Sequence, residues 1–329
     1  MQKTSPLLAG TALLSLLLAL PSASASEYSA LMKAKKFPEA ERAASAKLAQ
    51  EPANAEAMAA RTEAILAGGN EARIGEAVKQ AEQCVAAHAG NALCHVALGK
   101  ALGSKAMNGG MMSAMGYAGT IRDSFKKAVE LDPRNMDARF SLLQFYTMAP
   151  GIMGGGTSKA ESLASQTAAV NPEAGKLMQG SLELADGKLA KAEATALAAR
   201  PGADEELQDQ QEGLLINIGI KQLNDKKYGE AERILRDTLK RFPDSEGAPY
   251  WIARVQQEQG KHREAVAGFE ALLVKVPKPH VHYRMAQSLQ ALGDKPKAMA
   301  AYEKALAFKS GMSKKMRSDA EDQLKTLKG

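Results

Sequence analysis

Two cysteines, one tryptophan and 5% aromatics are all that 329 residues provide of these types. Two cysteines close one bridge at most, which excludes a disulfide-dense scaffold. The chain has no Cys-x-x-Cys pair, no His-Glu-x-x-His helix and no nucleophile elbow, so it offers no constellation for catalysis. Apolar runs are equally scarce. The single long one, Leu7–Leu20, counts fourteen residues, short of the roughly 20 that a membrane span requires. Little in the pattern suggests strands. What abounds is Ala, Leu, Lys and Glu, the composition of helices packed through small side chains.

Lys3, the apolar run and Ala23-Ser24-Ala25 together form a secretory signal with a small-x-small cleavage site. Residues 1–25 are therefore expected to be removed after Ala25, leaving a periplasmic or secreted chain. Loss of Lys3 lowers the formal charge of +6 to +5, a mild basic excess compatible with anionic partners. A nucleic-acid role would need a basic stripe and would meet little substrate outside the cytoplasm, so no nucleic-acid partner is expected.

A repeat runs through the chain. Ala231 and Ala265 stand 34 residues apart, each twelve residues before a proline, Pro243 and Pro277. Gly219 and Ala253 supply the matching small residue upstream, and Ala286, Ala298 and Tyr302 repeat the relation. The twelve-residue interval returns at Ala40 to Pro52 and Ala160 to Pro172, and Gly180 and Ala192 stand equally far apart. Small residues where two helices meet, with proline closing the unit, mark a helix-turn-helix solenoid. These residues resemble the tetratricopeptide repeat (TPR) family, which implies an all-α, right-handed α-solenoid that binds partners without catalysis. A Pro-Gly-apolar-x-Gly-Gly-Gly element followed by Lys-Ala, Pro150 to Ala160, is similar to one in secreted bacterial TPR proteins.

Measured with this ruler, the solenoid covers 26–310 in eight units: 27–53, 54–90, 91–134, 135–172, 173–203, 212–245, 246–278 and 279–310. The last segment, 311–329, places Met312, Met316, Ala320, Leu324 and Leu327 on one helical face and Lys314, Lys315, Arg317 and Lys325 elsewhere, as a capping helix requires.

Units three and four depart from the ruler through Met/Gly-rich insertions, 104–117 and 148–156, read as loops between helices. Such insertions in adjacent units are expected to emerge side by side and form one surface. They carry Met107, Met111, Met112, Met115, Met148 and Met153, with Tyr117 at the edge. Thioethers suit Cu(I), an adaptable partner surface, or simple packing of the loops onto the solenoid. Gly154-Gly155-Gly156-Thr157-Ser158-Lys159 has the glycines of a phosphate loop. Its lysine stands on the wrong side of Thr-Ser and no strand precedes it, so Thr157 or Ser158 is expected to cap a helix instead.

Cys84 and Cys94 flank the turn at Ala89-Gly90-Asn91, where antiparallel helices bring them close. A disulfide fits an oxidising compartment, and two buried thiols or a zinc site with His88 and His95 are the alternatives. The TPR resemblance further implies a concave groove lined by Tyr250, Arg254, Gln257, Tyr283 and Gln287, groups suited to an extended peptide. Ile216 and Ile220 stand where the carboxylate clamp of some TPR proteins needs polar residues. The function expected is an exported scaffold or adaptor for protein or peptide partners in the cell envelope, without a cofactor; the alternative is a soft-metal or small-molecule binder.

Overall fold

The computed structural model describes residues 27–275, 277–308 and 310–329. The expected signal segment lies outside them. The described residues form helices and turns without a strand. In order they are α1 (Glu27–Lys33), α2 (Phe37–Gln50), α3 (Ala55–Ala67), α4 (Ile74–Ala87), α5 (Ala92–Leu131), α6 (Met136–Met148), α7 (Thr157–Val170) and α8 (Pro172–Ala185). There follow α9 (Leu189–Ala198), α10 (Glu205–Asn224), α11 (Tyr228–Arg241), α12 (Gly247–Glu258), α13 (His262–Lys275), α14 (Pro279–Ala291), α15 (Lys295–Ala307) and α16 (Lys314–Lys328). Consecutive helices pack against one another along the chain. Counting the two arms of α5 separately gives eight antiparallel pairs and a cap, the α-solenoid that the repeat spacing dictates.

The ruler positions are where pairs close. Ala40, Ala160, Ala192, Ala231, Ala265 and Ala298 are fully buried, as is Tyr302. At the small positions a side chain has no room: a Cβ on Gly180 would lie 2.8 Å from Leu214, and one on Gly219 2.8 Å from Leu235. Helix starts have their own logic. The side chains of Asn54, Asn91, Asn135, Asn171 and Asp204 accept from backbone N–H groups in the first turns of α3, α5, α6, α8 and α10, satisfying donors that the helix leaves unpaired. The caps thus mark the first helix of five successive units.

Three local expectations are corrected. Residues 104–117 are not a loop: α5 runs through them, and only Gly110, at φ 75° and ψ −170°, leaves helical geometry. Met and Ala are good helix formers, and the insertion lengthens both arms of unit three by roughly one to two turns over the helices beside them. Neither Thr157 nor Ser158 caps α7, whose N-cap is Gly156 without a side-chain bond. The glycine run serves close approach, since a Cβ on Gly155 would fall 1.8 Å from the Ala149 carbonyl oxygen, while Gly154 and Gly156 adopt φ of 92° and 132°. Helix α10 also starts at Glu205, ahead of the 212 boundary. The irregular link before it is tied down by buried Gln211, whose amide donates to the carbonyls of Ala196 and Ala199 at 2.6 and 3.1 Å.

Cys84 and Cys94 form a disulfide across the α4–α5 turn, with Cα atoms 5.2 Å apart. This bridge removes both sulfurs from any zinc site. Finally, the array curls on itself: Lys33 pairs with Glu205, and Lys35 with Glu246 at 2.7 Å. The first unit therefore reaches the sixth and seventh, and a trough lies between.

Candidate partner-binding trough

The two insertions converge as expected. Gly154 lies against Arg122 of α5, and together the segments wall a cavity of 770 Å³. Its lining comes from α1 (Met32), α3 (Leu66), both arms of α5 (Met107, Met111, Ile121, Phe125) and α6 with the loop after it (Phe145, Met148, Met153). A hollow of this size falls within the range of ligand-binding cavities. Of the sequence candidates, Met107, Met111, Met148 and Met153 line it, whereas Met112, Met115 and Tyr117 lie outside the lining. Tyr117 instead holds the Lys105 ammonium 5.0 Å above its ring.

Apolar side chains left in water beside such a cavity are a costly arrangement for a chain with no partner. Met107, Met111, Met148 and Ile152 are 63–95% exposed.

A polar hollow of 460 Å³ continues the trough, sharing Lys100, Ser141 and Gln144 with the apolar cavity and extending to Ser181, Gln210 and Asn217. At the junction the Lys100 ammonium donates to Glu63 at 3.1 Å and Asp137 at 2.5 Å. Burial alone would lower the Lys100 pKa, but the two carboxylates outweigh it and hold the ammonium above the ordinary lysine range. Glu206 stands within electrostatic reach. Loss of solvation, then the charges of Asp137 and Asp204, push its carboxyl up to about 7. Water still reaches this side chain and moderates the effect.

These charged groups were missed in the sequence, although a signal existed. Glu63 and Lys100 are spaced 37 residues apart, matching positions on the first helices of units two and three, whose caps are Asn54 and Asn91, while Asp137 comes from the first turn of α6.

The C-terminal groove candidates are placed differently. Buried Tyr283 donates its hydroxyl to Asp319 of α16 at 2.7 Å and accepts from Gln287 at 2.8 Å; burial, then this bond, raises its pKa to about 12. Gln257 donates to the Arg284 carbonyl and to the Ser288 hydroxyl at 2.8 and 2.7 Å. Arg254, lowered in pKa by burial and the neighbouring Arg284, binds Gln257 and Glu258. Tyr250 packs edge-on against Trp251 and His280. Arg254, Gln257, Tyr283 and Gln287 are linked to one another through Arg284, and Asp319 of the cap joins them at Tyr283.

Lys159, the residue of interest in the glycine loop, donates to the Gly154 carbonyl at 2.9 Å and so serves the loop's own conformation.

Family models of the tetratricopeptide repeat match residues 222–288 and 280–307. Residues 222–307 carry tetratricopeptide repeats. No curated protein matches it in sequence. Among solved structures, the TPR chain is similar to one in the APC/C hetero-tetramer Cut9-Hcn1, with 15% identity and a TM-score of 0.48 over 91% of this chain and 54% of that one. It thus spans about half the length of that neighbour. A tetratricopeptide repeat protein from Parabacteroides merdae gives 15% identity and a TM-score of 0.45 over 92% of this chain and 96% of its own. A human IFIT1 dimer gives 19% and 0.48, over 83% and 63%. Among the described residues no helix is long and apolar enough to cross a membrane.

Proposed function

We propose that this TPR chain is a non-catalytic scaffold of the cell envelope that receives a segment of a partner protein in the trough walled by α3, α5 and α6. The observation that carries the reading is the 770 Å³ cavity bordered by solvent-exposed methionines. Methionine re-packs around varied apolar shapes at little cost. The polar continuation supplies amide and hydroxyl groups suited to a peptide backbone. Export through cleavage after Ala25 is part of the proposal, and the Cys84–Cys94 bridge supports it, because such bonds persist in oxidising compartments.

The test is a photo-reactive side chain placed singly at Gln144, in the trough, and at Lys240, exposed on α11 away from it. Illumination of producing cells is expected to give a discrete adduct from the first position and none from the second. Equal adducts from both, or none from Gln144, would overturn the reading.

A soft-metal reading has one observation in its favour, the convergence of four thioethers, Met107, Met111, Met148 and Met153, on one cavity. Replacing Met107 and Met111 by leucine keeps the apolar lining and deletes two sulfurs. Retention of Cu(I) that collapses in this variant, with partner adducts also lost, would favour metal; adducts that survive would favour the peptide.

A further inference from the structure

The chain has 15 methionines, and among the described residues five are more than half exposed: Met107, Met111, Met112, Met115 and Met148. All five stand on α5 or at the end of α6, in the two segments that wall the trough. The other described methionines are buried or half-buried, and both cysteine sulfurs are fully buried in their bridge. Among the described residues, sulfur well open to water is therefore gathered in one place. Met107, Met111 and Met148 line the apolar cavity, whereas Met112 and Met115 lie outside its lining.

Access governs the oxidation of methionine, and a peroxide supplies the oxygen. A sulfur lone pair attacks one peroxide oxygen, the O–O bond breaks, that oxygen stays on sulfur and the other leaves as water. Sulfur gives up two electrons and the peroxide takes them. The product replaces a flexible apolar tip with a polar S–O group. In the empty chain water solvates that group, so the fold has no reason to change. Beneath an apolar occupant the water is gone. Donors in the lining are few, and two of them are already engaged: Lys100 with Glu63 and Asp137, and the Ser141 hydroxyl with Asp137 at 3.4 Å. A buried acceptor left unpaired weakens binding by about tenfold for each sulfoxide.

We propose that the trough mouth is a methionine-oxidation site: a peroxide converts Met107, Met111 and Met148 of the empty chain to sulfoxides, and the oxidised trough no longer accepts an apolar segment. This rests on the trough reading above and names a modification that regulates the same site. An occupied trough covers the same three sulfurs, so the oxidant acts on chains that hold nothing and bars them from loading.

The test titrates the neutral apolar dye Nile red, followed by its fluorescence, into the full mature chain before and after mild hydrogen peroxide, with sulfoxides mapped by peptide mass spectrometry. The untreated chain is expected to bind the dye. The treated chain, oxidised at Met107, Met111 and Met148 and unchanged in circular dichroism, is expected to bind at least about tenfold more weakly. Replacing these three methionines together by leucine keeps the lining apolar and leaves no sulfur to oxidise, so this variant should hold its affinity through the same treatment. Met112→Leu with Met115→Leu, outside the lining, should stay as sensitive as the wild type. Undiminished affinity of the oxidised wild type, or a loss abolished by the Met112 and Met115 pair of substitutions, overturns the oxidation site and leaves the trough reading standing. Failure of the untreated chain to bind the dye overturns both.

Discussion

Gly99 offers the sharpest check on how unit three is packed. It lies in the first arm of α5, and a Cβ built there would fall 2.4 Å from the Phe125 ring of the second arm, where ordinary contact begins at 3.4 Å. Two opposed effects act on Gly99→Ala. Helix propensity favours alanine over glycine by about 1 kcal/mol. Forcing a buried ring aside by about 1 Å in a packed core costs about 1–3 kcal/mol. The clash wins or ties, so the variant should lose about 0–2 kcal/mol. Gly103, one turn further along the same arm, has nothing within 4 Å of its Cβ position. Gly103→Ala should therefore show the propensity term alone and gain about 1 kcal/mol. The assay is urea unfolding followed by far-ultraviolet circular dichroism, with the two midpoints compared at equal slope. The wild-type midpoint should lie between those of the variants. Equal stabilisation by both substitutions would refute the close approach of the α5 arms and the solenoid packing inferred from it.

Two further outcomes follow from other parts of the molecule. Reduction under denaturing conditions should add the mass of two hydrogens, and Cys84→Ala with Cys94→Ala should destabilise the chain by about 3 kcal/mol, the chain-entropy value for so short a loop; an unchanged mass after reduction would refute the bridge. Native Glu206 holds its proton more tightly than an ordinary glutamate, up to about 7, so between the ordinary carboxylate range and that value the folded state binds the extra proton and stability declines as pH rises. Glu206→Gln should therefore match the wild type near pH 4 and exceed it at pH 8 by about 0–1 kcal/mol, water access limiting the gain; a wild type that strengthens relative to the variant over that range would contradict the assignment.

The architecture was legible because it rests on small residues at fixed intervals: Ala231, Ala265 and Ala298 sit at zero exposure, as the ruler requires. The helices of unit two were equally plain, since Gly68-Gly69-Asn70 and Ala89-Gly90-Asn91 stop and start them chemically. The α5 insertion misled because glycine density reads as a loop, while only one glycine in it, Gly110, leaves the helix. Surrounding Met and Ala carry the rest through. At the C-terminal end, sequence spacing does not reveal that Asp319 on the cap reaches back to Tyr283. The acidic junction was hidden for a different reason. Glu63 and Lys100 stand 37 residues apart, not 34, and Asp137 sits in the first turn of its helix instead of at the matching position, so a ruler tuned to the C-terminal units steps past them.

The surface claimed for binding contains its own reporter. Met107 and Met111, in the cavity lining, are 76% and 69% exposed in the free chain, and Met112, outside it, is 81% exposed. Mild peroxide treatment of the purified protein should oxidise all three at similar rates, since access governs the reaction. Applied to intact producing cells and read by peptide mass spectrometry, the same treatment should spare Met107 and Met111 while Met112 reacts as before. Unchanged oxidation of the cavity methionines in cells would contradict occupancy of the trough.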